Sequence, residues 1–175
     1  MEEAASKSYG RRSRRNETVR STPNVARTHL RPVRTEDAFR LVPLFEAFYG
    51  TYFGEAVTEA AIRRRLRQAE GHETLVVAEV GDQLAGFGSV RVTPSLDLAP
   101  HAELTELFVA SEFRRTGLAS ELVRHLEGIA RDRGASELVV LTWKQNADGL
   151  AFYRSAGFEE EAVAMRKTLR SPENR

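Results

Sequence analysis

The sequence predicts an α/β (or α+β) fold: a mixed central sheet of six to seven strands flanked by about four helices. Three observations predict it. Residues 73–93 hold two apolar, β-branched runs on either side of Gly81-Asp82, the pattern of a hairpin. Residues 102–142 read as strand, long amphipathic helix and strand, a βαβ unit that demands a parallel pair. With 175 residues and 41% hydrophobic side chains, one domain can bury a sufficient core without a disulfide or metal staple.

The elements follow in order. Thr28 to Val33 is a short strand ended at Pro32. Thr35 caps a helix running to Tyr49, with Phe39, Val42, Phe45, Ala47 and Phe48 near one face and Pro43 as a break or kink. Thr58 caps a second helix, Glu59 to Glu70, whose Arg63, Arg64, Arg65 and Arg67 form a mostly solvated face. The hairpin strands are Glu73 to Val80 and Gln83 to Thr93. Gly86 and Gly88 in the latter mark a bulge or a close backbone approach. After a loop from Pro94 to Pro100 comes a strand, Ala102 to Val109. Gly117 to Arg133 is a helix with Leu118, Leu122, Leu126, Ile129 and Ala130 at helical spacing, ended by Gly134. Glu137 to Thr142 is a buried strand, and Asn146 to Ala156 a short helix ended by Gly157. Glu159 to Leu169 supplies one or two closing strands.

Composition removes several chemistries. There is no cysteine, hence no disulfide, thiolate metal site, iron–sulfur cluster or sulfur nucleophile. His29, His72, His101 and His125 show no metal-ligand spacing, so no metal is expected. Gly86-Phe87-Gly88 lacks the third glycine of a dinucleotide fingerprint. No apolar run approaches the roughly 18 residues of a membrane helix, and no secretory stretch opens the chain. A cytoplasmic protein with no membrane partner is expected. The net charge of +1 argues against a nucleic-acid binder working by bulk charge. The charge is uneven, however: residues 1–27 carry seven basic and three acidic side chains and few large apolar ones. They read as a disordered basic tail preceding a domain over residues 28–172.

The segment Leu107-Phe108-Val109-Ala110-Ser111-Glu112-Phe113-Arg114-Arg115-Thr116-Gly117-Leu118-Ala119 joins a buried strand to a helix. Its loop amides and first helical N–H groups lie at the positive end of the helix dipole, and arginine adds charge-assisted bonds. This is a ready anion site. Gly117 and the small Ala119 let a ligand approach the backbone.

Downstream lies Asn146-Ala147-Asp148-Gly149-Leu150-Ala151-Phe152-Tyr153-Arg154-Ser155-Ala156-Gly157-Phe158. With it the sequence resembles the GNAT superfamily of acyl-CoA-dependent N-acetyltransferases over about residues 28–170. That family's pyrophosphate loop, Arg/Gln-x-x-Gly-x-Gly/Ala, is matched by Arg114, Gly117 and Ala119. Its later signature, Asn-x-x-Ala-x-x-Phe/Leu-Tyr-x-x-x-Gly-Phe/Ala, is matched by Asn146, Phe152, Tyr153, Gly157 and Phe158. Two departures stand out. Gly149 replaces the usual alanine, and Arg114-Arg115-Thr116-Gly117 replaces the frequent Arg-Gly-x-Gly.

The resemblance implies acetyl-CoA as cosubstrate, held by Leu107, Phe108, Val109, Arg114, Arg115, Thr116, Gly117, Leu118, Ala119, Asn146 and Phe152. Within that set, the backbone of Leu107 and Val109 pairs with the pantetheine arm, and Asn146 hydrogen-bonds it. Tyr153 is the expected acid for the leaving thiolate. The base comes from the strand before the loop: Glu106 is preferred and Glu103 is the alternative, and a bulge would decide which faces the site. The acceptor is expected to be a primary amine of a small molecule such as a polyamine, amino acid or antibiotic. A protein N-terminus or lysine is the alternative, and a non-catalytic acyl-CoA sensor with a nucleic-acid-binding tail is the alternative of another class. The acceptor site is expected from the Phe45 to Glu59 region, Ser95 to His101 and Glu159 to Met165. There Phe48, Tyr49, Tyr52 and Phe53, beside Glu46 and Glu55, cradle a cation or simply pack. A homodimer is compatible with the family.

Overall fold

The structure is a computed structural model that describes residues 27–50, 56–94, 99–161 and 163–167. Its sheet has five strands in the order of the chain: β1 (Thr28–Pro32), β2 (Thr74–Val80), β3 (Gln83–Thr93), β4 (His101–Val109) and β5 (Leu138–Val140). The first four pair antiparallel, and β4 pairs parallel with β5. The helices are α1 (Ala38–Tyr49), α2 (Glu59–Ala69), α3 (Leu118–Asp132) and α4 (Ala147–Ser155).

Strand alternation divides the core into two layers. Val76 and Ala78 of β2 pack with Val90, Leu104, Leu122 and Leu126 on the α3 side. Val77, between them, packs with Leu41, Phe45, Ile62 and Phe87 under α1 and α2. The sheet is therefore covered on both faces, as a βαβ unit beside an antiparallel hairpin requires.

Several expectations need correction. Among the described residues the strand count is five, not six to seven: residues 159–161 and 163–167 form no strand, and 162 and 168–169 lie outside the described residues. β5 is a three-residue edge rather than a buried strand. It pairs only with Ala102 to Leu104, so Leu141 and Trp143 beyond it are 65% and 61% exposed. Thr35 does not cap α1. Thr35 to Asp37 form a 3₁₀ turn, and the Asp37 carboxylate accepts the Arg34 N–H at 2.8 Å. Pro43 does not break α1; both Pro43 and Phe39, whose carbonyl loses its helical donor there, face solvent. The buried face of α1 is Ala38, Leu41, Leu44 and Phe45, while Phe39 is exposed. The expected Thr58 cap is present, with Thr58 Oγ1 accepting the Ala61 N–H.

A partly buried ion network ties β1, β2 and α1 together. Arg31 donates to Asp37 at 2.7 and 2.8 Å and to Glu79 at 2.9 and 3.1 Å. Arg40 donates to Glu79 at 2.9 Å. The Arg31 guanidinium above all holds the Glu79 carboxyl down at about 2, and Asp37 below the usual carboxylate range. Residues 1–26, the predicted tail, lie outside the described residues.

Candidate active site

β4 changes character halfway along. Its N-terminal part lies between two neighbours, β3 and β5, but beyond Leu104 only β3 remains. The Ala110 N–H donates to Ala85 O at 2.9 Å, which makes this a hydrogen-bonding position of the antiparallel ladder. Two residues back, Phe108 and Glu106 therefore exchange their backbone bonds with Phe87 and Ser89 of β3. The backbone groups of Leu107 and Val109 point the other way, to the edge that β5 has left open. Phe108 cannot offer its backbone there, and its side chain stacks on Phe48 and Phe87. The Val109 carbonyl accepts Arg114 Nε at 3.1 Å.

The loop after β4 ends at Gly117, which has a φ of +90°. A side chain there would meet nothing within 4 Å, so this glycine answers to its left-handed backbone and not to crowding. No side chain caps α3, and the amides of its first turn are the orphan donors of a helix start. Arg115, where the frequent family pattern has glycine, sits at a φ of +61°. It adopts the left-handed backbone at a cost of about 1–2 kcal/mol. Arg115 and Thr116 are exposed; Thr116 Oγ1 donates to Phe113 O at 2.7 Å. Leu118 is buried in the core, and Ala119 packs against it.

A bulge at Ser89/Val90 places Thr105 as the extra residue of β4. Leu104 points to the α3 layer. After the extra residue, Thr105 and Glu106 both turn to the α1–α2 side: Glu106 accepts the Tyr49 hydroxyl, and Thr105 reaches Glu73 and Ser89. Without the bulge, Glu106 would follow Leu104 into the apolar α3 core. Glu103, before the bulge, pairs with Arg91 at 3.1 Å on the exposed part of the sheet.

Burial raises the Glu106 carboxyl, as does the charge of Glu73; the Tyr49 hydroxyl and Arg65 work against this. Tyr153 is half-buried, with Phe152 and Phe158 edge-on at 5.4 and 5.5 Å. Its phenol is also raised, by burial first and by the charge of Glu106 second. Tyr153 thus lies within electrostatic reach of Glu106. Asn146 caps α4: its Oδ1 accepts the Gly149 N–H at 3.1 Å, and its amide donates to Thr142 at 3.0 Å. A Cβ on Gly149 would lie 2.2 Å from that amide, so glycine permits this cap.

Sequence reasoning gives Glu73 and Thr105 no role in the site and leaves Tyr49 between cradling a cation and packing. Glu73 stands 32 residues from Thr105, and Tyr49 stands 57 from Glu106, so no local pattern marks either pair. Tyr52, Phe53 and Glu55 of the aromatic cluster lie outside the described residues, as do residues 95–98. Among the described residues no helix is long and apolar enough to cross a membrane.

The model of the acetyltransferase (GNAT) family matches residues 41–158. An uncharacterized N-acetyltransferase of Bacillus subtilis, YhfO, is 27% identical over 150 residues, covering 82% of this chain and 98% of its own. Human N-acetyltransferase 8 is 36% identical over 85 residues, covering 48% of this chain; the match spans only 37% of the human protein. Among solved structures, an aminoglycoside N-acetyltransferase in complex with CoA superposes with a TM-score of 0.73 at 19% identity. That match covers 86% of this chain and 100% of the other. It is a likeness of fold.

Proposed function

The chain belongs to the acetyltransferase (GNAT) family and is an acyltransferase, and on that premise we propose that it moves acetyl from acetyl-CoA to a primary amine of a small molecule, directly, in a ternary complex. The observation that carries this is the bulge, which turns Glu106 out of the apolar α3 core to the α1–α2 face, where it accepts the Tyr49 hydroxyl and acts electrostatically on Tyr153.

The residues fit the cosubstrate. The uncapped amides of α3, with Arg114, Arg115, Thr116 and Gly117, would hold a pyrophosphate. The outward backbone of Leu107 and Val109 would pair with an amide-bearing arm as an added strand does. Leu118 and Phe152 contribute packing, and Asn146 keeps α4 in place beside that arm. When bound, acetyl-CoA supplies an activated acyl group with a thiolate as leaving group.

The acceptor imposes a demand on the protein. A lysine-like amine has a pKa near 10.4, so its neutral form at pH 7 lies roughly 4.6 kcal/mol uphill. Glu106, raised by burial, takes up that proton directly or through water. Glu103 is the weaker choice, because its carboxylate is already paired with Arg91 on the exposed part of the sheet. Tyr153 stays protonated and donates to the developing thiolate. A thiol of pKa about 8.5 is a stronger acid than this phenol, so a hydrogen bond, not full transfer, is what Tyr153 supplies at first. With no cysteine in the chain, a sulfur-bound acyl-enzyme has no residue to form on. A cationic acceptor also suits a site that gathers two carboxylates, Glu106 and Glu73, against one arginine, Arg65, which stands over the Tyr49 ring at 5.3 Å.

The experiment is thiol release from acetyl-CoA across polyamines, amino acids, aminoglycosides and lysine peptides. A thiol-reactive dye reads it without background, since the protein contributes no thiol. Release with a free amine is expected. Release only with peptides would overturn the small-molecule reading, and bound acetyl-CoA without release from any amine would favour a sensor.

A further inference from the structure

Four ionisable groups from four places in the chain surround Glu106. Tyr49 comes from the end of α1, Arg65 from α2 and Glu73 from just before β2; Tyr153 comes from α4. Their arrangement is specific. Tyr49 donates directly to Glu106. Ser89, only 1% exposed, lies 2.7 Å from Thr105, whose single hydroxyl proton goes to Glu73. With Glu73 ionised the directions are fixed: Ser89 donates to Thr105, and Thr105 donates to Glu73. The bulge that turns Glu106 to this face therefore also supplies the clamp on a second carboxylate.

We propose that Tyr49 and Glu73 are positioning residues for Glu106: Tyr49 orients and stabilises its carboxylate, while Glu73, held by the Thr105–Ser89 hydroxyl pair, opposes its ionisation and so makes it a stronger base. The inference rests on Glu106 being the base of the reaction proposed above. The physical logic is that of a like charge fixed near a titrating group, where a mobile one would swing into water and be screened. Thr105 and Ser89 prevent that swing. Burial and the charge of Glu73 raise the Glu106 carboxyl, and Tyr49 and Arg65 lower it, as this arrangement requires.

The test reads Glu106 itself. In protein carrying ¹³C at glutamate side-chain carboxyls, the Glu106 resonance is the one absent from Glu106→Gln, and its titration midpoint is measured without any substrate. Glu73→Gln, which keeps size and removes charge, should lower that midpoint by about half a pH unit or more; Tyr49→Phe should raise it by a similar amount. Thr105→Val, which keeps both charges but releases Glu73, should lower it by less. A midpoint unmoved in both Glu73→Gln and Tyr49→Phe overturns the inference. The second arm follows the acid limb of kcat/KM with the best amine of the panel. A limb that moves with the midpoint supports both the tuning and the role of Glu106. A midpoint that moves while the limb stays supports the tuning and overturns Glu106 as base.

Discussion

The molecule holds two carboxylate clusters on the same side of the sheet, and it treats them in opposite ways. At Glu79 and Asp37 two arginines hold the carboxyls down, Glu79 to about 2. At Glu106 burial and the charge of Glu73 outweigh a tyrosine and an arginine, and the carboxyl goes up. Both sites are partly desolvated, so burial alone does not explain the difference. The partners do: Arg31 makes bidentate bonds to both of its carboxylates, whereas among the described residues the direct donor to Glu106 is a neutral hydroxyl. The first cluster stabilises the fold. The second retains an appetite for a proton, which a base for amine transfer needs.

The comparison can be broken from either end. The largest effect is expected for Arg31→Ala, which strands Asp37 and Glu79 without their main partner. Arg40 still reaches Glu79 at 2.9 Å and Asp37 at 3.6 Å, so the loss belongs at the low end for a broken buried pair, about 3 kcal/mol. Denaturant unfolding checks it, and turnover per folded molecule should not change. Glu106→Gln should do the reverse. Its kcat/KM should fall about 100-fold, as removal of a general base does, with acetyl-CoA affinity kept and stability at pH 7 not lowered. A drop in stability instead would make Glu106 a structural residue.

The two clusters also titrate in different windows. For Glu79, whose folded value is depressed, the stabilisation is complete above the ordinary carboxylate value and is lost as pH falls from there towards about 2. For Glu106, whose folded value is raised, ionisation works against folding, and its stabilising share disappears as pH rises through the raised value. A base acts in its ionised form, so under the proposed role of Glu106 activity is expected to fall as pH drops through that same raised value. An interval of mildly acidic pH is therefore expected in which turnover is lost reversibly while circular dichroism stays native. Coincident loss of both would remove the distinction between the clusters. The smallest effect concerns the loop. Arg115→Gly should relieve the left-handed strain and stabilise by about 0.5–1 kcal/mol, net of glycine's greater unfolded freedom. It should also weaken acetyl-CoA binding in a titration through the lost charge.

What was legible beforehand was local. The turn at Gly81-Asp82, the Thr58 cap, the periodicity of α3 and the Gly117 helix start all depend on residues within a few positions of one another. The failures were also instructive. β5 read as buried because Leu138, Val139, Val140 and Leu141 are apolar, but an edge strand with three paired residues leaves its far side open. Pro43 read as a break because proline removes a helical donor; on the solvent side water replaces it.

By itself, then, the sequence determined the hairpin, the βαβ unit, the uncapped loop before α3 and the pair of candidate bases. Only the tertiary structure decided which of those two carboxylates meets Tyr49 and which pairs with Arg91. Faces alternate with period two along a strand, so one extra residue, Thr105, reverses where every later side chain points. That bulge arises from pairing with β3. The charge state of Glu106 then depends on Tyr49 and Glu73, brought beside it by α1 and by the start of β2. Register and electrostatic environment are properties of neighbours far apart in the chain, and they exist only once the sheet has formed.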